Sequence, residues 1–201
     1  MNFKGFVCGD HQTNCFVAWD DDKNCVLIDC NGSEMSEFID KEGLNPKYIL
    51  LTHGHGDHIG FVEYYVNKYN IPVVCGKNEA GLLADPSMNL SGCISITPDK
   101  LFEDGEVFSV GGMDFKIIFT PGHTAGSICY ITGGELFSGD TLFWGSCGRV
   151  DFPSGNKKDM SDSLRLLKSL EKNYNVYPGH GQYTTLDSEK RNNLFMAHIK
   201  I

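Results

Sequence analysis

Residues 52–58 read THGHGDH, three histidines and an aspartate spaced by two glycines. It follows KYILL (residues 47–51), a short continuous apolar run of the kind that forms a buried strand. His53 and His55 are two positions apart, so in extended backbone their imidazoles leave on the same side and can reach one cation. Gly54 and Gly56 let the chain bend. Asp57 and His58 then fall where a helix is expected to begin, and the change of backbone direction aims them at a second, neighbouring point.

Working outward, the same context recurs. PGHT (residues 121–124) supplies His123 and PGHG (residues 178–181) supplies His180, each after an apolar strand. SGDTLF (residues 138–143) places Asp140 at another strand end. Of the 7 histidines, only His11 and His198 lie outside these glycine-rich segments. Carboxyl ends of strands are where α/β proteins commonly build sites. Five imidazoles and two carboxylates are too many for one tetrahedral ion and suit two. The nitrogen and oxygen donors favour zinc, with iron or manganese also accommodated.

The flanking pattern gives the architecture. NCFVAW (14–19), a polar turn and CVLID (25–29) read as a hairpin. A helix capped by Ser33 carries Met35, Phe38 and Ile39 and stops at Gly43. Residues 58–69 read as one helix, IPVVC (71–75) as a strand, and residues 84–98 as a loop. Two hairpins turning on Gly111–Gly112 and Gly133–Gly134 follow, then a helix over 157–172, the strand NVYP (175–178) and a last helix within 187–200. No linker or composition shift divides the chain, so residues 1–201 are expected to form one domain, with sheets packed face to face and helices outside.

Composition narrows the partners. With 17 Lys+Arg against 26 Asp+Glu the net charge is -9, which opposes binding to nucleic acid or to an anionic membrane. No apolar run approaches the ~18 residues of a membrane span. MNFKGFVCGD has no signal-peptide core, so a cytoplasmic location is expected. The 8 cysteines include no CxxC pair and read as reduced thiols, with Cys15, Cys25, Cys75 and Cys129 behaving as small hydrophobes within strands. Cys147 reads as a pocket-lining or packed thiol. The partner is expected to be a small molecule, and the chain a monomer or homodimer.

His53, His55, Asp57 and His58 match the HxHxDH signature of the metallo-β-lactamase-fold superfamily, and His123, Asp140 and His180 match its later motifs. The resemblance covers essentially the whole chain and implies an α/β (α+β) fold, a four-layer αββα sandwich with a binuclear metal site at one edge. It implies that one metal takes His53, His55 and His123, that the other takes Asp57, His58 and His180, and that Asp140 bridges them. GDTLFWGSCGRVDFPSG (139–155) and YPGHGQYTTLDSEKRNN (177–193) resemble the compact glyoxalase II-like hydrolases. Asp140 stands where the best-known lactamases have Cys, which disfavours β-lactams. Arg149, with Val150 or Asp151, stands where glyoxalase II uses Lys and Tyr for glutathione, leaving the thiol open.

The implied reaction is cleavage of a small thioester or ester by a metal-bridging hydroxide that Asp57 orients. Phe143, Trp144 and Arg149, close after Asp140, are the candidate pocket residues. Pairing of Arg149 with Asp151, and core or dimer roles for the two aromatics, stand beside that reading. The alternative function is a mononuclear Fe(II) enzyme of the persulfide dioxygenase kind, using His53, His123 and Asp140. A metal-dependent scaffold or sensor is a third.

Overall fold

The strands expose alternate residues to two different cores, and this sets the layering. The computed structural model describes residues 1–197 and 199. Its first half runs β1 (Asn2–Cys8), β2 (Thr13–Trp19), β3 (Asn24–Ile28), α1 (Glu34–Glu42), β4 (Asn45–Leu50), α2 (Gly56–Ile59), α3 (Val62–Tyr69), β5 (Val73–Gly76), α4 (Ala80–Ala84) and β6 (Lys100–Phe102). The six strands form one sheet in sequence order. The second half runs β7 (Val107–Val110), β8 (Met113–Phe119), β9 (Ile128–Thr132), β10 (Glu135–Gly139), β11 (Leu142–Phe143), β12 (Ser146–Cys147), α5 (Lys157–Ser169), β13 (Asn175–Pro178), β14 (Thr184–Thr185), α6 (Leu186–Asn192) and α7 (Leu194–Ala197). Its main sheet has the order β14-β13-β10-β9-β8-β7, and β11 and β12 pair as a small separate hairpin.

Phe16, Ala18, Val26 and Ile28 from the first sheet meet Phe115, Ile117, Tyr130 and Phe137 from the second in a central core. Their neighbours Val17, Cys25 and Leu27 point outward instead, against Met35 and Ile39 of α1 and Tyr65 of α3. On the far side Ile118, Cys129 and Leu136 pack on Met160, Leu164 and Leu167 of α5 and Leu186 of α6. The result is the four-layer αββα sandwich, with period-2 strands buried on both faces. All 8 cysteines are free, six of them buried. Among the described residues no helix is long and apolar enough to cross a membrane.

The structure departs from the sequence pattern in instructive places. Residues 58–69 are not one helix, because the Phe61 N–H turns away to donate to Cys30 O at 2.9 Å, separating α2 from α3. Ser33 occupies the N-cap of α1 but makes no side-chain cap bond. The last helix is interrupted at Asn193, and residues 198 and 200 of its expected span lie outside the described residues. β1, β6, β14 and the β11–β12 hairpin are too short or too polar to show in the hydrophobic pattern.

Candidate metal centre

The loops that leave β4, β8, β10 and β13 converge at one edge of the two sheets. They bring together all seven residues singled out by the motifs. Three groups offer donor atoms within 4.8 Å of one another: His53, His55 and His123; His53, His58 and Asp140; and Asp57, His58 and His180. Asp140 stands between the halves, its Oδ2 3.4 Å from His123 Nε2 and 3.6 Å from His180 Nε2, and its Oδ1 3.4 Å from His58 Nε2.

Two Pro-Gly-His motifs need their glycines. Gly122 has φ +143, and a Cβ there would lie 2.4 Å from Met160 Cα. At Gly179 a Cβ would lie 2.2 Å from Asp140 Oδ1 and 2.7 Å from His58 Cε1, inside the cluster itself. The space at the centre is therefore kept open by the backbone.

Four of the five imidazoles are held from behind. His123 Nδ1 donates to Arg149 O at 2.7 Å, and His180 Nδ1 to His11 O at 3.1 Å. His53 Nδ1 lies 3.1 Å from Thr52 Oγ1, and His58 Nδ1 lies 2.8 Å from Asp29 Oδ2. Fixing one ring nitrogen sets the tautomer and turns the other inward. His55 Nδ1 and His123 Nε2 approach to 2.8 Å. His53 Nε2, His55 Nε2 and Asp140 Oδ1 are buried and have no hydrogen-bond partner. Orphaned buried donors and acceptors are costly, and an electrophile shared by the cluster is what His53 Nε2 and Asp140 Oδ1 lack. The donor set fits divalent metal: hard carboxylate and borderline imidazole, with no thiolate.

The electrostatics divide the site. Burial, reinforced by the neighbouring imidazoles, pushes His53 well below the usual histidine value, and burial with His123 nearby brings His55 down to about 4. His123 is lowered for the same reason. For His58 burial acts in the same direction, but Asp29 and Asp140 outweigh it and hold the ring well above its usual value. His180 is raised likewise, its bond to Asp57 overcoming burial. Burial would raise Asp57 and Asp140, yet His180 and His58 hold Asp57, and His58, His123 and His180 hold Asp140, below the ordinary carboxylate range.

Three supporting residues escape the motif reading. Asp29, at φ +54, accepts from Thr52 N at 2.8 Å, from Thr52 Oγ1 at 2.7 Å and from His58. A non-glycine residue held in this region is uncommon and signals a constraint at a functional place. Glu79, buried, accepts from Gly54 N at 2.7 Å and from Thr124 Oγ1 at 2.9 Å, tying the His53–His55 loop to the His123 loop. Burial raises its pKa. Thr52 is the link between Asp29 and His53. A polar residue ending an otherwise apolar strand, as in CVLID, is the only sequence signal for Asp29.

A cavity of about 770 Å³ opens over the cluster. Phe143 and Arg149 line it, with Asn31, Leu90, Ile94 and Phe152. The Phe143 ring meets His180 edge-on, centroids 6.2 Å apart. The Arg149 guanidinium is bidentate on Asp151, both bonds 2.7 Å, and stacks 3.9 Å over Phe152. Trp144 is not in the lining; it sits 60% exposed at the hairpin tip.

A four-layer sandwich with a histidine and aspartate cluster at its sheet edge defines a class of metal-dependent enzymes. The chain belongs to the metallo-beta-lactamase superfamily, whose family model matches residues 8–180. It is 36% identical to the hydroxyacylglutathione hydrolase GloC of Haemophilus influenzae, over 98% of each chain. Among solved structures it is similar to the BLEG-1 B3 metallo-beta-lactamase (TM-score 0.89, 35% identity, 97% of this chain and 99% of that one). It is also similar to TTHA1623 in a di-iron-bound form (0.83, 33%, 96% and 99%) and to ETHE1 from Myxococcus xanthus (0.80, 29%, 96% and 84%).

Proposed function

We propose that the chain is a di-metal hydrolase that cleaves a small acyl-thioester or ester. The observation that carries this is the pair of donor trios, His53–His55–His123 and Asp57–His58–His180, with Asp140 within 3.6 Å of both. His53, His55 and His123 would hold one ion, Asp57, His58 and His180 the other, and Asp140 both. Zinc suits the donors first, iron or manganese next. Once bound, such ions supply Lewis acidity, polarising a carbonyl and lowering the pKa of water towards neutrality. The 36% identity to a hydroxyacylglutathione hydrolase supports the thioester class.

The chain's own residues do the rest. Asp57, ionised because His180 and His58 hold its pKa down, is a hydrogen-bond acceptor at the cluster and orients the attacking water. Asp29 and the backbone carbonyls of Arg149 and His11 keep the rings from turning. Phe143 and Phe152 form apolar walls that limit water beside the reacting carbonyl. Arg149 lines the same cavity and can meet an anionic end of the substrate.

The test is metal analysis of anaerobically purified protein with a panel of acyl-thioesters, esters and one β-lactam. Two ions per chain with preferential thioester or ester hydrolysis is expected. Fewer than two ions together with no thioester or ester hydrolysis would overturn the reading. A second reading, a mononuclear Fe(II) persulfide dioxygenase using His53, His123 and Asp140, draws on the likeness to ETHE1 and on the 3.4 Å approach of His123 to Asp140. One iron per chain and oxygen consumption with a persulfide would select it.

A further inference from the structure

The β11–β12 hairpin projects over the cavity with little core of its own. Its strands are two residues each, its tip is Trp144–Gly145, and Trp144 is largely exposed. Yet Phe143, Ser146 and Cys147 all line the cavity. Leu142 and Cys147 root the hairpin in the outer core, but its tip at Phe143–Ser146 extends beyond that core and needs another source of order.

That source lies in α6 and just beyond it. Glu189, 2% exposed, accepts from Gly145 N at 2.8 Å through Oε2 and from Thr184 Oγ1 at 2.7 Å through Oε1. Asn193, 0% exposed, donates through Nδ2 to the same Glu189 oxygen at 2.8 Å, to Ser146 O at 2.9 Å and to Phe143 O at 3.4 Å. Its Oδ1 accepts from Phe195 N at 2.9 Å at the start of α7. Among the described residues no cation pairs with Glu189, so backbone and side-chain donors satisfy this buried carboxylate. A buried carboxylate and a buried amide bonded to a surface hairpin do little for the core and much for the hairpin's position.

We infer that Glu189 and Asn193 are positioning residues that lock the β11–β12 hairpin as one wall of the substrate cavity, and that they set substrate affinity and selectivity rather than the chemical step. The inference rests on the proposed hydrolase reading for its kinetic consequence, but the clamp itself does not. It assigns the segment after His180 a task in recognition that no ligand motif reveals.

The experiment compares Glu189→Leu, which leaves Gly145 N without an acceptor, and Asn193→Asp with the wild-type metal-loaded protein. Asn193→Asp keeps the oxygen that caps α7, removes the donors to Phe143, Ser146 and Glu189, and sets a carboxylate against that of Glu189. Three quantities are read: exchange of the Gly145 amide, KM and kcat for one hydrolysed thioester, and bound metal. The expected result is faster Gly145 exchange by at least about tenfold, KM raised about tenfold, kcat within about threefold and unchanged metal. Ile39→Ala, which thins the core under α1 in a cluster that holds no hairpin residue, should lower Tm and leave KM alone.

A Gly145 amide that stays protected in both variants overturns the clamp. Faster exchange with unchanged KM overturns its role in recognition. A wild-type protein that turns over no thioester sinks the hydrolase reading instead, and is told apart because the exchange result still decides the clamp.

Discussion

His53, His55 and His123 lie almost wholly out of water, whereas Asp57 and His180 across the same site keep 23% and 27% of their side chains exposed. The buried trio is three imidazoles held by Thr52 and a backbone carbonyl, and burial drives their pKa values down. The other trio contains one carboxylate and is backed by a second, Asp29, so its imidazoles are pushed up. A cation in the first half meets neutral nitrogen donors in a dry pocket; one in the second half meets negative charge near water. The two halves are therefore expected to differ in affinity and in exchange with solvent, and substitutions should separate them.

The largest effect belongs to Asp140, which touches both halves. Asp140→Ala should lower kcat/KM on the order of 10³-fold, corresponding to several kcal/mol of lost electrostatic stabilisation, and should weaken both ions together. Loss of only one ion would break the shared role. Asp29→Asn should be milder and one-sided: about 10- to 100-fold weaker binding of the second ion, with the first retained in a metal titration. Equal weakening of both would erase the distinction drawn here.

Glu79→Gln tests the opposite side. Losing an acceptor for Gly54 or Thr124 should cost about 1–3 kcal/mol of stability by denaturant unfolding, with the Asp57 half keeping its metal. Burial raises the Glu79 pKa, so the folded state holds that proton more tightly than the unfolded chain. Its contribution is fully present below the ordinary carboxylate pKa of about 4.3 and is lost as pH rises through the folded value. The gap between wild type and Glu79→Gln should therefore narrow from acid to neutral pH, and a widening gap would contradict the assignment. Smallest of all, Asp151→Ala removes an exposed partner of Arg149 and should leave the denaturant unfolding midpoint nearly unchanged. It frees the guanidinium, so any change in KM reports Arg149 at the cavity.

The site was legible where the chemistry is local. THGHGDH carries four donors within residues 53–58 and the two Pro-Gly-His segments carry one each, and the glycines beside them mark the strand ends that converge. Asp29 and Glu79 were not legible, because each meets its partners 23 to 45 positions away and looks like any acidic residue from its neighbours alone. The sheets could be read from the doubly buried strand CVLID and from the alternating pattern of DFKIIFT, whose Asp114 and Lys116 face solvent. The break between α2 and α3 could not, since it depends on a bond from Phe61 back to Cys30 that no periodicity encodes. Trp144 and Phe143 are adjacent in sequence, and only the hairpin geometry sends one to the cavity and the other to solvent.

Two divalent ions in unlike halves of one site, together supporting hydrolysis, are what the proposed function requires. The most direct measurement is a metal titration of chelator-stripped protein, following bound ion and thioester hydrolysis in the same samples. Two binding steps of unequal affinity, with hydrolysis rising on the second, are predicted. A single step that saturates at one ion with no hydrolysis, alongside oxygen uptake from a persulfide when that ion is iron, would contradict it.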